Sequence, residues 1–244
     1  MEILIEEDEI KEILISVIAI SLALSIVFAG GLGGISGIFR HPAEFLLMVA
    51  ISAITIGSGF VLHEMGHKMV AIYYGAYSKF KMWTQGLILM LIVSLFGMLF
   101  AAPGAVYIYA QRISKRENGI ISLAGPIVNI ALVMFFFSLA IANPIRIYIS
   151  FLADFDFGEI VKNGLINVWM FGAFINIILG LFNMLPAFPL DGSKVIKWSK
   201  LTWAITIVGM FAMGYALNLI GAGYILFWCF ILFTMLAFSR LFFG

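Results

Sequence analysis

Residues 45–75 of the chain read FLLMVAISAITIGSGFVLHEMGHKMVAIYYG. Apolar side chains occupy most positions of this stretch, and His63, Glu64 and His67 interrupt it in its second half. About 20 consecutive apolar residues are enough for a helix to cross a lipid bilayer. Ionisable side chains inside such a helix are costly and are usually retained for a function. The stretch therefore predicts a transmembrane helix, over residues 43–74, that carries a chemical site.

The composition extends this interpretation to the whole chain. Of the 244 residues, 63% are hydrophobic and 11% are charged, whereas about 25% charged residues is typical of a soluble domain. We predict an all-α polytopic protein, held in the lipid bilayer by about six transmembrane helices in a single domain over residues 1–244. We expect no nucleic-acid partner, and the sequence predicts no particular oligomeric state. The apolar segments are 13–31, 43–74, 119–142, 165–186, 201–219 and 221–243.

Another apolar segment, residues 86–111, could form either a helix followed by a loop or a β-hairpin that turns at AAPGA. A hairpin would place eleven basic residues on one face of the membrane and three on the other, whereas a full span would divide them eight to six. Because basic residues concentrate on the cytosolic face, we predict a membrane-associated β-hairpin near 86–111. The cytosolic face would carry Lys11, Lys68, Lys79, Lys81, Arg112, Lys115, Arg116, Lys194, Lys197, Lys200 and Arg240, and the other face Arg40, Arg146 and Lys162.

The polar residues of the opening stretch have the spacing H-E-x-x-H, which is typical of zinc peptidases. On a helix, His63 and His67 lie four positions apart on one face, about 6 Å from each other, so both imidazoles can reach one ion. Glu64 lies next to that ion without having to be a ligand. A zinc ion lowers the pKa of its bound water to about 7. We therefore interpret Glu64 as a general base and the two histidines as zinc ligands.

A third ligand is needed, and the predicted topology leaves Asp191. This residue follows an apolar span that Pro186 and Pro189 end, and the hairpin places it on the same side as the end of the second span. The six acids of residues 2–12, together with Glu117, are expected to be solvated charges. The remaining candidates fall on the opposite face: His41, Glu44, Asp154, Asp156 and Glu159.

Three blocks of the sequence together resemble the site-2 protease family of intramembrane zinc metalloproteases. The blocks are His63-Glu64-x-x-His67, Gly125-Pro126-x-x-Asn129 and Asn183-x-x-Pro186-x-x-Pro189-Leu190-Asp191-Gly192. The resemblance implies a catalytic core over about 43–200, one Zn²⁺ held by His63, His67 and Asp191, and Glu64 as the base. It also implies a β-hairpin after the first core span, and single-span transmembrane proteins as substrates. No segment is long enough for a PDZ domain or a C-terminal regulatory domain, so the chain resembles a minimal form of the family.

Four asparagines in or near the spans have two interpretations. Asn129 and Asn183 could hydrogen-bond a substrate or a developing oxyanion, or could join helices. For Asn176 and Asn218 we favour the second role. Two other functions are open for the whole chain, a metal-ion transporter and a different class of membrane zinc protease. A transporter would favour inverted repeats and paired broken helices, and the sequence contains one broken span and no repeat.

Overall fold

The computed structural model describes residues 5–99, 103–110 and 112–243, with side chains as far as residue 235. Most of the described residues are helical. The helices are α1 (Glu7–Phe28), α2 (Ile35–Arg40), α3 (Pro42–Ser52), α4 (Ser58–Tyr73), α5 (Thr84–Ser94), α6 (Lys115–Ala142), α7 (Val168–Asn183), α8 (Asp191–Trp198), α9 (Lys200–Ala216) and α10 (Ala222–Phe243). The strands are β1 (Tyr77–Met82), β2 (Gly104–Tyr109), β3 (Arg146–Tyr148), β4 (Val161–Lys162) and β5 (Leu165–Asn167).

Three helical segments within the described residues are long and apolar enough to cross a membrane. They are α1, α6, and the continuous segment Pro42–Tyr73, in which one π-helical turn, Ala53–Gly57, joins α3 to α4. The last of these confirms the helix predicted over 43–74. The other predicted spans are also helices, but α7 and α9 have only 16 and 17 residues. Three spans are therefore supported by length and composition, and the count of six stays a prediction.

The predicted β-hairpin exists only in part. Strand β2 lies in the predicted segment, but its antiparallel partner is β1, upstream of that segment, with Tyr77 opposite Tyr109. Residues 86–94 belong to helix α5 instead of a strand. The run from Leu87 to Val93 is continuously apolar and contains three Leu and one Met, which favour a helix. Strand β1 instead alternates polar and apolar residues from Lys79 to Met82, as a half-buried strand does. Of the predicted turn AAPGA, residues 101–102 lie outside the described part.

Helix α5 has 11 residues, which corresponds to about 16 Å, roughly half of a bilayer core of about 30 Å. Since β1 and β2 pair, the chain returns after α5 to the place where it left. Helix α6 is therefore expected to begin on the side of the membrane where α4 ends. This is the topological property for which the hairpin was predicted, although a short helix supplies most of the excursion.

The acidic N-terminal segment is not uniformly solvated, which corrects the prediction. Glu9 is 1% exposed, and its carboxylate accepts hydrogen bonds from Lys68 Nζ at 2.6 Å and from the Phe80 N–H at 2.9 Å. Glu12 accepts a hydrogen bond from the Met82 N–H at 2.8 Å. The physical reason is that the ammonium of Lys68, buried in the second half of α4, needs a counter-charge. The N–H groups on the outer edge of β1 also need acceptors.

Charges at the exposed end of this interface follow the same pattern. Lys79 of β1 contacts the carboxylates of Glu6 and Asp8. Hydrogen bonds to Asp8 and Glu6 raise the pKa of Lys79 above its ordinary value. Helix α1 therefore covers one edge of the two-stranded sheet with carboxylates, and β2 forms the other edge.

Helix α6 lies against α4, α7 and α8, so it contacts every helix that carries a residue of the predicted site. Strands β3, β5 and β4 form a separate antiparallel sheet in the connection between α6 and α7. That connection holds three of the four acids that the predicted topology places on the opposite face, Asp154, Asp156 and Glu159, and the fourth, Glu44, lies in α3. The described residues of the connection take no part in the site.

Candidate metal centre

The three side chains that were predicted as metal ligands converge in the interior. His63 and His67 lie on α4, and Asp191 is the first residue of α8. The two Nε2 atoms are 3.0 Å apart, and Asp191 Oδ2 lies 3.2 Å from His63 Nε2 and 3.0 Å from His67 Nε2. Their exposed fractions are 2%, 7% and 7%. One ion could therefore contact all three side chains, which are largely shielded from bulk solvent.

The hydrogen bonds on the far side of each imidazole indicate which nitrogen carries the proton. His67 Nδ1 lies 2.7 Å from the carbonyl oxygen of Ile121, which can only accept, so this nitrogen donates. His63 Nδ1 lies 2.6 Å from Asn129 Oδ1. In the neutral imidazoles both Nε2 lone pairs then point at each other and at the Asp191 carboxylate. A cation among them would stabilise this arrangement.

The dimensions of the triangle also fit a metal ion. Ligand atoms held 2.0–2.1 Å from a tetrahedral zinc lie roughly 3.3 Å from one another, close to the observed separations. The donor set, two imidazoles and one carboxylate, is one that zinc accepts in catalytic sites, which leave a fourth position open. The three residues present therefore fit a divalent metal such as zinc.

Gly125 of α6 explains how the backbone of a neighbouring helix comes so close. A Cβ atom at this position would lie 2.4 Å from His63 Nε2 and 2.5 Å from His67 Nε2. Only glycine lets α6 approach the two imidazoles at the point where an ion would lie. The close approach also brings the hydrogen-bond partners of both imidazoles into reach, because Ile121 and Asn129 belong to the same helix.

Glu64 lies beside the triangle and is 8% exposed. Its Oε2 accepts a hydrogen bond of 2.8 Å from the backbone N–H of Val106 in β2. Both residues line a cavity of about 180 Å³ that also contains the three candidate ligands. The other lining residues are Ala105, Ile108, Ile121, Ser122, Asn183, Pro189, Leu190 and Lys194. The cavity therefore places a carboxylate, a sheet edge and a possible metal site in one space.

Asp191 reaches the centre because the chain is not helical in the loop of residues 184–190. Helix α7 ends before the prolines of this loop, as predicted. A Cβ at Gly192 would lie 2.1 Å from the carbonyl oxygen of Met184, so glycine is required where the loop and α8 touch. Lys194 was missed as a site residue, although it lines the cavity with its Nζ 3.6 Å from Asp191 Oδ1. Its position three residues after Asp191 on a helix was the available signal.

The two asparagines that were predicted to contact substrate occupy different positions. Asn183 lines the cavity, and its Nδ2 donates to the carbonyl oxygen of Leu179 at 3.0 Å. Asn129 is fully buried behind His63, and its Nδ2 donates to Asn176 Oδ1 at 3.0 Å. Both ends of the Asn129 amide are therefore engaged within the protein, where they support a candidate ligand instead of facing the cavity. Asn176 was expected only to join helices.

Comparisons with known proteins identify the family of the chain. The model of peptidase family M50 matches residues 51–206. The "Putative zinc metalloprotease MJ0611" of Methanocaldococcus jannaschii is 44% identical over 197 residues, 80% of this chain and 90% of that protein. The "Putative zinc metalloprotease YwhC" of Bacillus subtilis is 27% identical over 164 residues, 62% of this chain and 70% of that protein. No solved structure matches significantly. The chain therefore belongs to peptidase family M50, the site-2 protease family, and is an integral membrane protein.

Proposed function

We propose that this protein is an intramembrane zinc metalloendopeptidase that cleaves transmembrane segments of single-span membrane proteins. The observation that carries the proposal is the buried triangle of His63, His67 and Asp191, with two Nε2 lone pairs and a carboxylate oxygen about 3 Å apart. The names of both relatives specify zinc, so the proposed metal is one Zn²⁺ per chain. Glu64 in the same cavity adds the base that hydrolysis needs.

In this mechanism, zinc held by the three ligands would supply Lewis acidity and a bound water with a pKa of about 7. Glu64 takes a proton from the attacking water and later delivers it to the leaving amine. Asn129 and the Ile121 carbonyl hold the imidazoles in the tautomer that presents Nε2 to the metal. Burial of the centre excludes bulk water, which strengthens each of these electrostatic interactions.

The free edge of β2 is the proposed binding site for the substrate. Facing residues of an antiparallel pair alternate between those that exchange backbone hydrogen bonds and those that direct their N–H groups outward. Phe80 faces Val106, and their N–H groups point outward to Glu9 and Glu64 respectively. Carboxylates of α1 cover the β1 edge, whereas the β2 edge lines the cavity. A locally unwound substrate would add to that edge as a strand.

Strand addition would also free the base. The Val106 N–H that now binds Glu64 is one of the groups that an added strand would require. A substrate carbonyl that took over this N–H would release the Glu64 carboxylate near the scissile bond. Asn183 in the wall of the same cavity could donate a hydrogen bond to the backbone of a substrate bound along β2. Binding of the substrate to β2 would therefore make the Glu64 carboxylate available as a base.

We further propose that the site opens toward the cytosol in a multi-pass topology. His63 lies 21 positions after Pro42, which corresponds to about 31 Å of helix in a bilayer core of about 30 Å. The centre is therefore expected near the end of the span that leads to β1. On this face the predicted topology would put eleven of the fourteen basic residues, and basic residues concentrate on cytosolic faces.

The test of the proposed activity uses purified protein in detergent with a panel of single-span substrates and mass spectrometry of the products. Wild type should cleave a transmembrane substrate. Glu64→Gln should lose at least roughly 10²- to 10⁴-fold in rate, as expected for loss of a general base, while it retains zinc. Full activity of Glu64→Gln would contradict the base assignment, and loss of zinc would make Glu64 a ligand or a structural residue.

The ligand assignment has its own control. Asp191→Ala should lose zinc and activity together. Asp156→Ala, which changes an exposed acid in the connection between α6 and α7, should lose neither. Full zinc occupancy of Asp191→Ala, measured by elemental analysis, would show that another oxygen donor completes the site.

A further inference from the structure

We propose that Asn176 of α7 is a positioning residue that sets the tautomer of His63 through Asn129. The inference rests on the zinc site proposed above. It adds a residue that touches neither the metal position nor the cavity. Three hydrogen bonds link the backbone of α7 to the imidazole on α4, and their direction is determined at the end farthest from the metal.

The carbonyl oxygen of Gly172 determines the direction of these hydrogen bonds, because it can only accept. Asn176 Nδ2 donates to this oxygen at 2.9 Å. An inverted Asn176 amide would instead place Oδ1 against the carbonyl oxygen, so that two acceptors would face each other. The contact with Gly172 therefore determines that Asn176 presents Oδ1, an acceptor, to its other neighbour.

The next two contacts carry this orientation to the imidazole. Asn129 Nδ2 donates to Asn176 Oδ1 at 3.0 Å. The remaining end of that amide, Asn129 Oδ1, lies 2.6 Å from His63 Nδ1. Because Oδ1 can only accept, Nδ1 must carry a proton, and in the neutral imidazole Nε2 then keeps its lone pair toward the metal position. The protonation pattern of a ligand thus depends on a carbonyl of another helix.

The chain of hydrogen bonds from Gly172 through Asn176 and Asn129 to His63, called the relay below, is buried. Asn129 and Asn176 are both 0% exposed and His63 is 2% exposed, so bulk water cannot replace a lost hydrogen bond. Gly59 of α4 makes room for the relay, since a Cβ there would lie 2.5 Å from Asn176 Oδ1. A glycine on one helix and two asparagines on two others are therefore fitted to each other around His63.

The two ligand histidines differ in a way that provides an internal control. A backbone carbonyl, that of Ile121, orients His67 directly. Side chains orient His63, so substitution can remove its support while leaving that of His67 intact. Loss of such a supporting hydrogen bond costs roughly 10- to 100-fold in metal affinity in other metal sites. We expect a loss in this range for Asn176→Leu and for Asn129→Leu.

The experiment measures the tautomers in zinc-free protein with ¹⁵N-labelled histidine. The sequence has three histidines, and His41→Gln leaves the signals of His63 and His67. In this background His63 should be protonated at Nδ1, and Asn176→Leu should convert it to a mixture of tautomers while His67 is unchanged. Asn176→Ala serves as a second variant that fills no additional space, and an unchanged His67 signal with unchanged circular dichroism shows that each variant is folded.

Zinc affinity of Asn176→Leu, Asn129→Leu and the double variant completes the test. A relay predicts that Asn176→Leu has little further effect once Asn129 is replaced, whereas independent structural effects would add. An unchanged His63 tautomer together with unchanged zinc affinity in both Asn176 variants would overturn the relay. Additive losses would overturn it as well. If wild type instead binds no zinc, the proposed function fails, while the spectra of the zinc-free protein still decide the relay.

Discussion

The Glu64 carboxylate and the Val106 backbone N–H are joined by a hydrogen bond of 2.8 Å. The first residue belongs to the motif that was predicted to carry out hydrolysis, and the second belongs to a sheet edge that faces the same cavity. The proposed base therefore occupies the backbone donor that an added strand would need. This relationship makes the β2 edge testable separately from the metal centre.

Replacing Val106 with proline should impair substrate capture and leave zinc in place. Proline removes the outward N–H and is tolerated on a strand edge whose N–H does not pair within the sheet. Loss of one hydrogen bond of about 1 kcal/mol corresponds to a roughly fivefold decrease, measured as kcat/KM for a transmembrane substrate. A short, already extended peptide should be less affected. Ala105→Pro is the matched control. The register directs the Ala105 N–H toward β1, so this substitution should lower the stability of the protein itself. Normal cleavage of both substrates by Val106→Pro would show that the sheet is only a structural support.

A methyl group at position 125 should abolish metal binding without unfolding the protein. In Gly125→Ala the added carbon would lie within 2.5 Å of both Nε2 atoms, in the space that an ion and its ligands need. Gly209→Ala is a suitable control, since that glycine is also helical but has open space around its Cβ position. Elemental analysis should find little zinc in the first variant and wild-type zinc in the second. Wild-type zinc in Gly125→Ala would mean that the ion lies elsewhere.

The ion pair between Glu9 and Lys68 should be important for stability. Both side chains are 1% exposed, and removing one member of a buried pair typically costs about 3–5 kcal/mol. Glu9→Leu should therefore lower the free energy of unfolding by an amount of this order, measured by denaturant titration in detergent. Glu7 is exposed and lies two residues before Glu9 on the same helix, so Glu7→Leu should change the free energy of unfolding little. The double variant Glu9→Leu, Lys68→Met should recover part of the loss. Equal stability of Glu9→Leu and wild type would show that the carboxylate is not needed to hold α1 against β1.

Cysteine labelling from the two sides of the membrane should test the topology. In a Cys229→Ser background, the exposed positions 77 and 116 should react with a membrane-impermeant reagent only from the cytosolic side. Position 154, in the connection between α6 and α7, should react only from the opposite side. Labelling of 77 and 116 from opposite sides would show that the segment through α5 crosses the membrane. It would also contradict the placement of Asp191 on the side where α4 ends.

Features that depend on neighbours along the chain were predictable from the sequence. The apolar length of residues 43–74 produces a long helix, and the four-residue spacing of His63 and His67 places both imidazoles on one face of it. The prolines after α7 end that helix by removing backbone donors, so the location of Asp191 directly after a break in the helical chain could be predicted too. The basic residues on either side of an apolar segment predict a chain that returns to the face it left, and the pairing of β1 with β2 brings the two ends of that segment together. Each of these properties follows from local geometry or from counting.

Tertiary structure alone decided which distant groups meet. Nothing in the spacing of Glu9 predicts that Lys68 is buried beside it, and nothing local to β2 identifies β1, across a short helix, as its partner. Asn129 was recognised as a polar residue in an apolar span, but its contact with His63 depends on how close Gly125 allows α6 to come. The direction of the Asn176 amide likewise depends on a carbonyl of its own helix and on the helix opposite. Hydrogen bonds, including those within an ion pair such as Glu9 and Lys68, form only at about 3 Å, so they are determined by the packing of helices and not by the order of residues along one of them.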